Sequence, residues 1–322
     1  MSYPAYLELA QKGELREKAE EAYKLLQTCS LCPRKCEVDR LQDQRGLCGA
    51  GKKAKVYKFK IHFGEEPPIS GWRGSGVIFF SGCPLKCLYC QNYPFSQQGK
   101  GREISPQLLS HMMLYLQKMG CHNLNLVTPT HFVPQILSAL TLAVDKGFHL
   151  PLVYNTSGYE SLQTLRLIDG VVDIYLSDFK YFKAETGMRY SQVPDYPQVA
   201  KRAIKEMYRQ VGDLLTDQNG IAKRGLIIRH LLLPGNLFGA EKILFFIAQE
   251  LSPSISVSLM SQYLPLWKAK GHPLLGREIT PEELKQAFMA LDFAGLENGW
   301  IQESPTSPGS KSLSLTSQMC SG

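Results

Sequence analysis

Nine cysteines are spread over the 322 residues in a pattern that constrains this chain more than any other feature. Cys29, Cys32, Cys36 and Cys48 form one group, Cys83, Cys87 and Cys90 a second, and Cys121 and Cys320 stand alone. An odd count disfavours a secreted disulfide framework. The N-terminal run MSYPAYLELAQKGELREKAEEAY is charged throughout and lacks the apolar core of a signal peptide. A reducing, cytoplasmic setting is therefore expected, where clustered thiols serve as metal ligands. No apolar run approaches the roughly 18 residues of a membrane span, so no membrane partner is expected.

The second group reads Cys83-Pro-Leu-Lys-Cys87-Leu-Tyr-Cys90, a C-x3-C-x2-C spacing. Three thiolates cannot complete a four-cysteine zinc site, nor give every iron of a 4Fe–4S cluster a protein ligand. One iron would stay open to a substrate or cofactor. Tyr89 would cover such a cluster and limit its contact with solvent. The alternative is a zinc site that borrows its fourth ligand from elsewhere. The first group, C-x2-C-x3-C-x11-C, offers a complete shell for Zn²⁺ or for a second 4Fe–4S cluster. Spacing does not separate the two metals, although full closure leans towards zinc. Pro33, Gly46 and Gly49 favour tight turns around it. Cys121 reads as a small buried hydrophobe, and Cys320 as an exposed thiol without a role.

Periodicity sets the fold class. A helix is expected over 5–28 and a strand or ribbon over 55–63. A Gly/Pro-rich connector follows over 64–76. Short apolar runs then recur at 77–81, 123–128, 152–155, 172–177, 226–232 and 256–260, without in/out alternation, as buried parallel strands do. Helical segments separate or follow them at 105–119, 132–146, 160–168, 196–211, 239–250 and 281–292. Six β/α units indicate an α/β fold and suit a partial (β/α)6 TIM-like barrel, the reading adopted, or an open doubly wound sheet, with one more short strand at 296–302. No G-x-G-x-x-G follows the first strand, which disfavours a dinucleotide fold. The expected domains are a helix and Cys-rich metal-binding lobe (1–75), the barrel (76–303) and a disordered Ser/Gly/Pro-rich tail (304–322).

The formal charge is +7, and Lys52, Lys53, Lys55, Lys58 and Lys60 lie close together. A nucleic-acid partner would use such a run, but solvated lysines along a strand explain it, and metal-loaded thiolates would lower the charge. Nucleic-acid binding is not expected.

The three-cysteine loop follows the first barrel strand, on the rim where barrel active sites form. Candidate side chains share that rim: Asn92 after the loop, Thr128 and Thr130 after strand two, Asn155 and Ser157 after strand three. Asp178 and Lys180 end strand four, two apart and so on one face. Arg229 and His230 lie in strand five and face opposite ways, so one alone points inward. Gln262 and Tyr263 end strand six. Plainer roles stay open: helix capping for Asn155 and Ser157, a rim salt bridge for Asp178 and Lys180, a satisfied core position for His230 and a strand-end turn for Thr128.

With its aromatic before the third cysteine, the three-cysteine loop resembles the radical S-adenosylmethionine (SAM) superfamily. The runs Ser81–Tyr93, Asn125–His131, Tyr154–Gly158, Tyr175–Lys180, Arg229–Gly235 and Leu259–Tyr263 are similar to the PflX-type branch related to pyruvate formate-lyase activating enzymes. The likeness covers about residues 25–303. It implies a 4Fe–4S cluster on the catalytic cysteines Cys83, Cys87 and Cys90, with SAM chelating the open iron. Reductive cleavage would give a 5′-deoxyadenosyl radical that abstracts hydrogen, as in an activase making a glycyl or other carbon radical. It further implies cofactor contacts among Tyr89, Asn92, Thr128, Thr130, Asn155, Ser157, Asp178, Lys180, Arg229, His230 and Gln262. An electron donor such as flavodoxin or ferredoxin is implied, and an activase would take a protein substrate. Many members carry Gly-Gly-Glu after strand two, whose glutamate meets the cofactor's amino group. This chain has Thr128-Pro-Thr-His131 there. Two rivals remain: a radical enzyme acting on a small molecule or peptide, and a zinc-only structural or nucleic-acid-binding protein.

Overall fold

The computed structural model describes residues 3–236, 239–302 and 313–314. Apart from Leu313 and Ser314, the expectations for the tail and for Cys320 lie outside the described residues. The strands are β1 (Ala54–His62), β2 (Ser75–Phe80), β3 (Arg102–Ile104), β4 (Leu124–Val127), β5 (Leu152–Thr156), β6 (Ile174–Asp178), β7 (Leu215–Thr216), β8 (Ala222–Leu231), β9 (Ser256–Met260), β10 (Gly299–Gln302) and β11 (Leu313–Ser314). The α-helices are α1 (Tyr6–Gln11), α2 (Glu14–Lys24), α3 (Pro67–Ser70), α4 (Tyr93–Ser96), α5 (Pro106–Lys118), α6 (Val133–Val144), α7 (Leu162–Leu167), α8 (Ala184–Ser191), α9 (Tyr196–Val211), α10 (Ala240–Glu250) and α11 (Pro281–Phe293).

Strands β2, β4, β5, β6, β8, β9 and β10 lie side by side in chain order, each parallel to the next. Intervening helices supply the crossovers that each parallel return needs. Antiparallel strands β1 and β3 extend one edge beyond β2, and among the described residues the path does not close into a ring. The architecture is a partial TIM-like barrel, and the apolar runs of the sequence supply its parallel strands.

Strand alternation divides the core. Leu126, Tyr175, Ile228 and Leu259 face outward onto Leu109, Leu140, Ile204 and Leu244 of the helices. Burying each of the leucines and isoleucines among them contributes about 1.5–3 kcal/mol. Val153, Ile174, Leu176 and Ile227 face the lumen and pack on Ile69 of α3. The 64–76 stretch is therefore a connector only in part. Within it Glu66, Pro68, Ile69 and Ser70 are buried in the barrel, where Asn123 Nδ2 donates to the Ile69 carbonyl at 2.7 Å.

The expected helix over 5–28 is broken by Gly13 at φ +80°, a conformation that Gly adopts without strain, and becomes α1 and α2. These helices run outside the barrel. Tyr6 OH donates to the Leu150 carbonyl at 2.8 Å, and Thr164 Oγ1 donates to the Leu31 carbonyl at 2.7 Å. Among the described residues no helix is long and apolar enough to cross a membrane.

Candidate functional site

Strand β2 ends at Phe80, and the chain turns at once into the three-cysteine loop. Gly82 makes that turn at φ +85°, and any Cβ there would lie 2.3 Å from the Cys48 carbonyl oxygen. The two thiol groups therefore back onto one another. Hydroxyls support the loop sulfurs. Ser191 Oγ donates to Cys87 Sγ at 2.9 Å, and Ser96 Oγ lies 3.1 Å from Cys90 Sγ. Tyr89 is buried, with its hydroxyl 2.7 Å from Tyr181 OH, which in turn lies 2.5 Å from Ser191 Oγ. A chain of hydroxyls thus links the aromatic before the third cysteine to the sulfur of the second.

The cysteines among the described residues are free thiols. Burial, followed by the charges of Cys87 and Cys90, pushes the Cys83 thiol well up. Burial also raises Cys87, against the opposing pull of Lys180. Among the described residues no three His, Cys, Asp or Glu side chains already stand in an ion-binding arrangement. A cationic centre would reverse the balance by stabilising the thiolates it binds. Three soft donors on one loop, with hydroxyls on two of the sulfurs, suit an iron–sulfur cluster in chemistry.

Cys87, Tyr89 and Cys90 line a cavity of about 260 Å³ together with Asp178, Lys180 and Arg229. Parallel pairing of β6 with β8 sets Asp178 opposite Arg229 in register. Arg229 Nε donates to Asp178 Oδ1 at 3.0 Å, Nη2 to Asn155 Oδ1 at 2.6 Å and Nη1 to Glu65 Oε2 at 3.3 Å. Lys180 Nζ donates to Asp178 Oδ2 at 2.6 Å. Burial alone would raise Asp178, but Lys180 and Arg229 outweigh it and hold the carboxyl below its ordinary range. Glu65 is raised by burial, which Arg229 only partly offsets. Two cations and two carboxylates thus face one small space.

Other sequence candidates take different positions. Asn92 and Gln262 line the cavity mouth. Thr128 sits at φ +58°, rare for a β-branched residue, and its N–H donates to the Asn155 carbonyl at 2.9 Å. Thr130 turns away: its Oγ1 donates to buried Glu160 at 2.5 Å. The Ser157 carbonyl accepts from Tyr196 OH at 2.8 Å, outside the cavity lining. His230 faces the helices, opposite to Arg229, and its Nδ1 lies 2.7 Å from the Phe179 carbonyl. Burial lowers its pKa to about 4, so it is neutral at pH 7. The residues missing from the sequence reading are Glu65 and Glu66. Two adjacent carboxylates before Pro67-Pro68 were the available signal, since Pro favours the first turn of a helix.

Cys29, Cys32, Cys36 and Cys48 lie close enough that their charges oppose ionisation of Cys32, beneath the larger effect of burial. Lys35 and Glu37 take φ +41° and +57°, which winds the chain tightly between them. Gly46 has no room for a side chain, because a Cβ would meet Cys36 Sγ at 2.7 Å. Buried Arg40 lies 3.9 Å from Cys29 Sγ and donates to the His131 carbonyl at 2.7 Å, tying this group to the barrel rim.

The sequence pattern of the radical SAM superfamily matches residues 77–216, from β2 through β7 and across the three-cysteine loop. Residues 77–216 thus form a radical SAM superfamily domain. Such proteins typically use a 4Fe–4S cluster and SAM, and the chain is in this general sense a radical SAM enzyme. It is also 32% identical over 288 residues to the uncharacterized protein MJ0674 of Methanocaldococcus jannaschii. That alignment covers 88% of this chain and 79% of the archaeal protein.

Proposed function

We propose that Cys83, Cys87 and Cys90 hold a 4Fe–4S cluster and that SAM occupies the adjoining cavity. The observation that carries this reading is the shared lining: two of these thiols face the same space as Asp178, Lys180, Arg229 and Glu65. Held there, a 4Fe–4S cluster and SAM would supply one-electron reductive cleavage of a C–S bond of SAM, and with it the capacity to abstract a hydrogen atom from a substrate.

The protein's own part is to orient and to exclude water. Lys180 and Arg229 suit the methionyl carboxylate, and Arg229 is pre-set by Asp178 and Asn155. Asp178 and Glu65 suit the amino group. Glu65 thereby supplies, from the segment leading into α3, an acidic contact that Thr128-Pro-Thr-His131 lacks. Tyr89 shields the loop from solvent, and a dry site strengthens each of these charge contacts.

The activity we favour is activase-like, making a glycyl or other carbon radical on a protein. The motif runs support it, as do exposed Gln91 and Asn92 at the cavity mouth, amides suited to a peptide backbone. The four-cysteine group is read as a closed metal site, with zinc preferred to a second cluster, and the free thiols suit a cytoplasmic setting. Metal analysis after anaerobic reconstitution tests the reading. About four irons per chain are expected, or about eight with a second cluster. Zinc as the sole metal would overturn it in favour of a structural protein.

A further inference from the structure

The reduction that this reading requires leaves one approach to the thiols unexplained. Towards the cavity of Asp178 and Arg229, the loop faces the proposed SAM site. Beside Tyr89 it is buried against Tyr181 and Tyr263. Over Leu88 it is covered by the 267–268 turn, where Lys268 N donates to the Leu88 carbonyl at 3.0 Å and Trp267 stacks on Tyr93 at 4.7 Å. The fourth side opens on a second cavity of about 400 Å³, where Gly82 and Ser96 meet Cys48.

That cavity is basic. Lys53, Lys55 and Lys86 line it, and none has a salt bridge among the described residues. Its acidic lining residue, Glu103, is already paired with Arg45 at 2.8 Å. Lysines that read in sequence as a solvated strand face are thus gathered around the back of the thiol loop. The connection inward is short: Ser96 lines the cavity and its Oγ lies 3.1 Å from Cys90 Sγ.

We infer that this basic cavity is the docking face for an acidic one-electron donor protein, which passes its electron to the Cys83/Cys87/Cys90 centre by way of Ser96 and Cys90. The inference rests on the proposed cluster. The donor loses one electron and the cluster gains it, with no bond made or broken at this step. A surface lined by uncompensated cations steers an acidic partner into brief encounters without a large apolar interface. The compact lining, with only three free lysines, is too small for the many phosphate contacts of tight nucleic-acid binding.

The test compares two reductants on the anaerobically reconstituted full chain, with cluster bleaching as the readout. Reduced flavodoxin is the acidic probe, and dithionite needs no docking face. In Lys53→Glu/Lys55→Glu, flavodoxin reduction at low salt is expected to slow by roughly tenfold or more, while dithionite reduction stays unchanged. The parent rate with flavodoxin should also fall with added salt. Lys146→Glu, beyond the C-terminus of α6, is the control and should match the parent. Equal flavodoxin rates in parent and double variant overturn the inference, as does an oligonucleotide that binds the parent but not the double variant while flavodoxin rates stay equal. A parent with no centre reducible by dithionite instead overturns the cluster assignment beneath it.

Discussion

Replacing Arg229 by Met would test how the cavity holds its charges. The guanidinium is 15% exposed and donates to Asp178, Asn155 and Glu65, whose own exposures as ion-pair partners are 16% for Asp178 and 9% for Glu65. Methionine keeps much of the volume but strands Glu65 without the cation that faces it and leaves Asp178 with Lys180 alone. Glu66, wholly buried, loses the same nearby positive charge. Breaking a buried pair from one side costs about 3–5 kcal/mol. At roughly 2.1 cal/mol/K per residue, a chain of this length has an unfolding entropy near 0.7 kcal/mol/K. The melting temperature should therefore fall by about 4–7 °C in anaerobic calorimetry. Arg229→Lys keeps the charge but not the planar fork, so its loss should be smaller. Adding Glu65→Gln to the Met variant removes a stranded carboxylate and should recover part of the loss. A Met variant melting within about 1 °C of the parent would refute the reasoning.

Glu160 accepts hydrogen bonds from Thr130, Thr156 and Tyr154, yet burial raises its pKa from the ordinary 4.5 to about 7. The folded state thus keeps this proton longer than the unfolded chain, so its stabilising contribution is complete below 4.5 and is lost as pH rises through about 7. Urea titrations at pH 5 and pH 8 should show a smaller stability difference in Glu160→Gln than in the parent; an equal difference contradicts the assignment. Gly82→Ala combines a left-handed backbone with contact against the Cys48 carbonyl, and should lower iron content and melting temperature together. Normal iron loading in that variant would mean the two thiol groups are not packed as described. Ser191→Ala removes a donor from Cys87 Sγ, so the cluster potential should fall in an electron paramagnetic resonance titration. An unchanged or higher potential counts against that hydrogen bond.

The parallel strands were legible because each is a short, mainly apolar run covered on both faces, as Leu124–Val127 (with Asn125 its one polar residue) and Ile174–Leu176 show. Arg229 and His230 were legible as an opposed pair because strand side chains alternate. Helix α8 was missed because it is only eight residues long and Gly187 interrupts it. The structure requires that glycine, since a Cβ would lie 2.4 Å from the Val193 carbonyl. Glu65 and Glu66 were illegible for a different reason. Gly and Pro around them indicate a turn-rich stretch, but nothing local reveals that this stretch enters the lumen. The ion pair of Glu65 with Arg229 spans 164 residues. Thr130 was placed on the correct rim, but its partner Glu160 comes from the next β/α loop and turns it away from the cavity. The contact of Cys48 with Gly82 likewise depends on tertiary packing, although both cysteine groups stand plainly in the sequence.

The most direct measurement is the yield of 5′-deoxyadenosine from SAM and dithionite, with the full chain reconstituted without oxygen. The parent should form it, and Cys83→Ala, Cys87→Ala and Cys90→Ala should each form none, while variants in the first thiol group that keep the barrel cluster retain cleavage. A parent that carries its full complement of iron and binds SAM, yet yields no 5′-deoxyadenosine, would contradict the proposed function, as would a Cys83→Ala protein that still cleaves the cofactor.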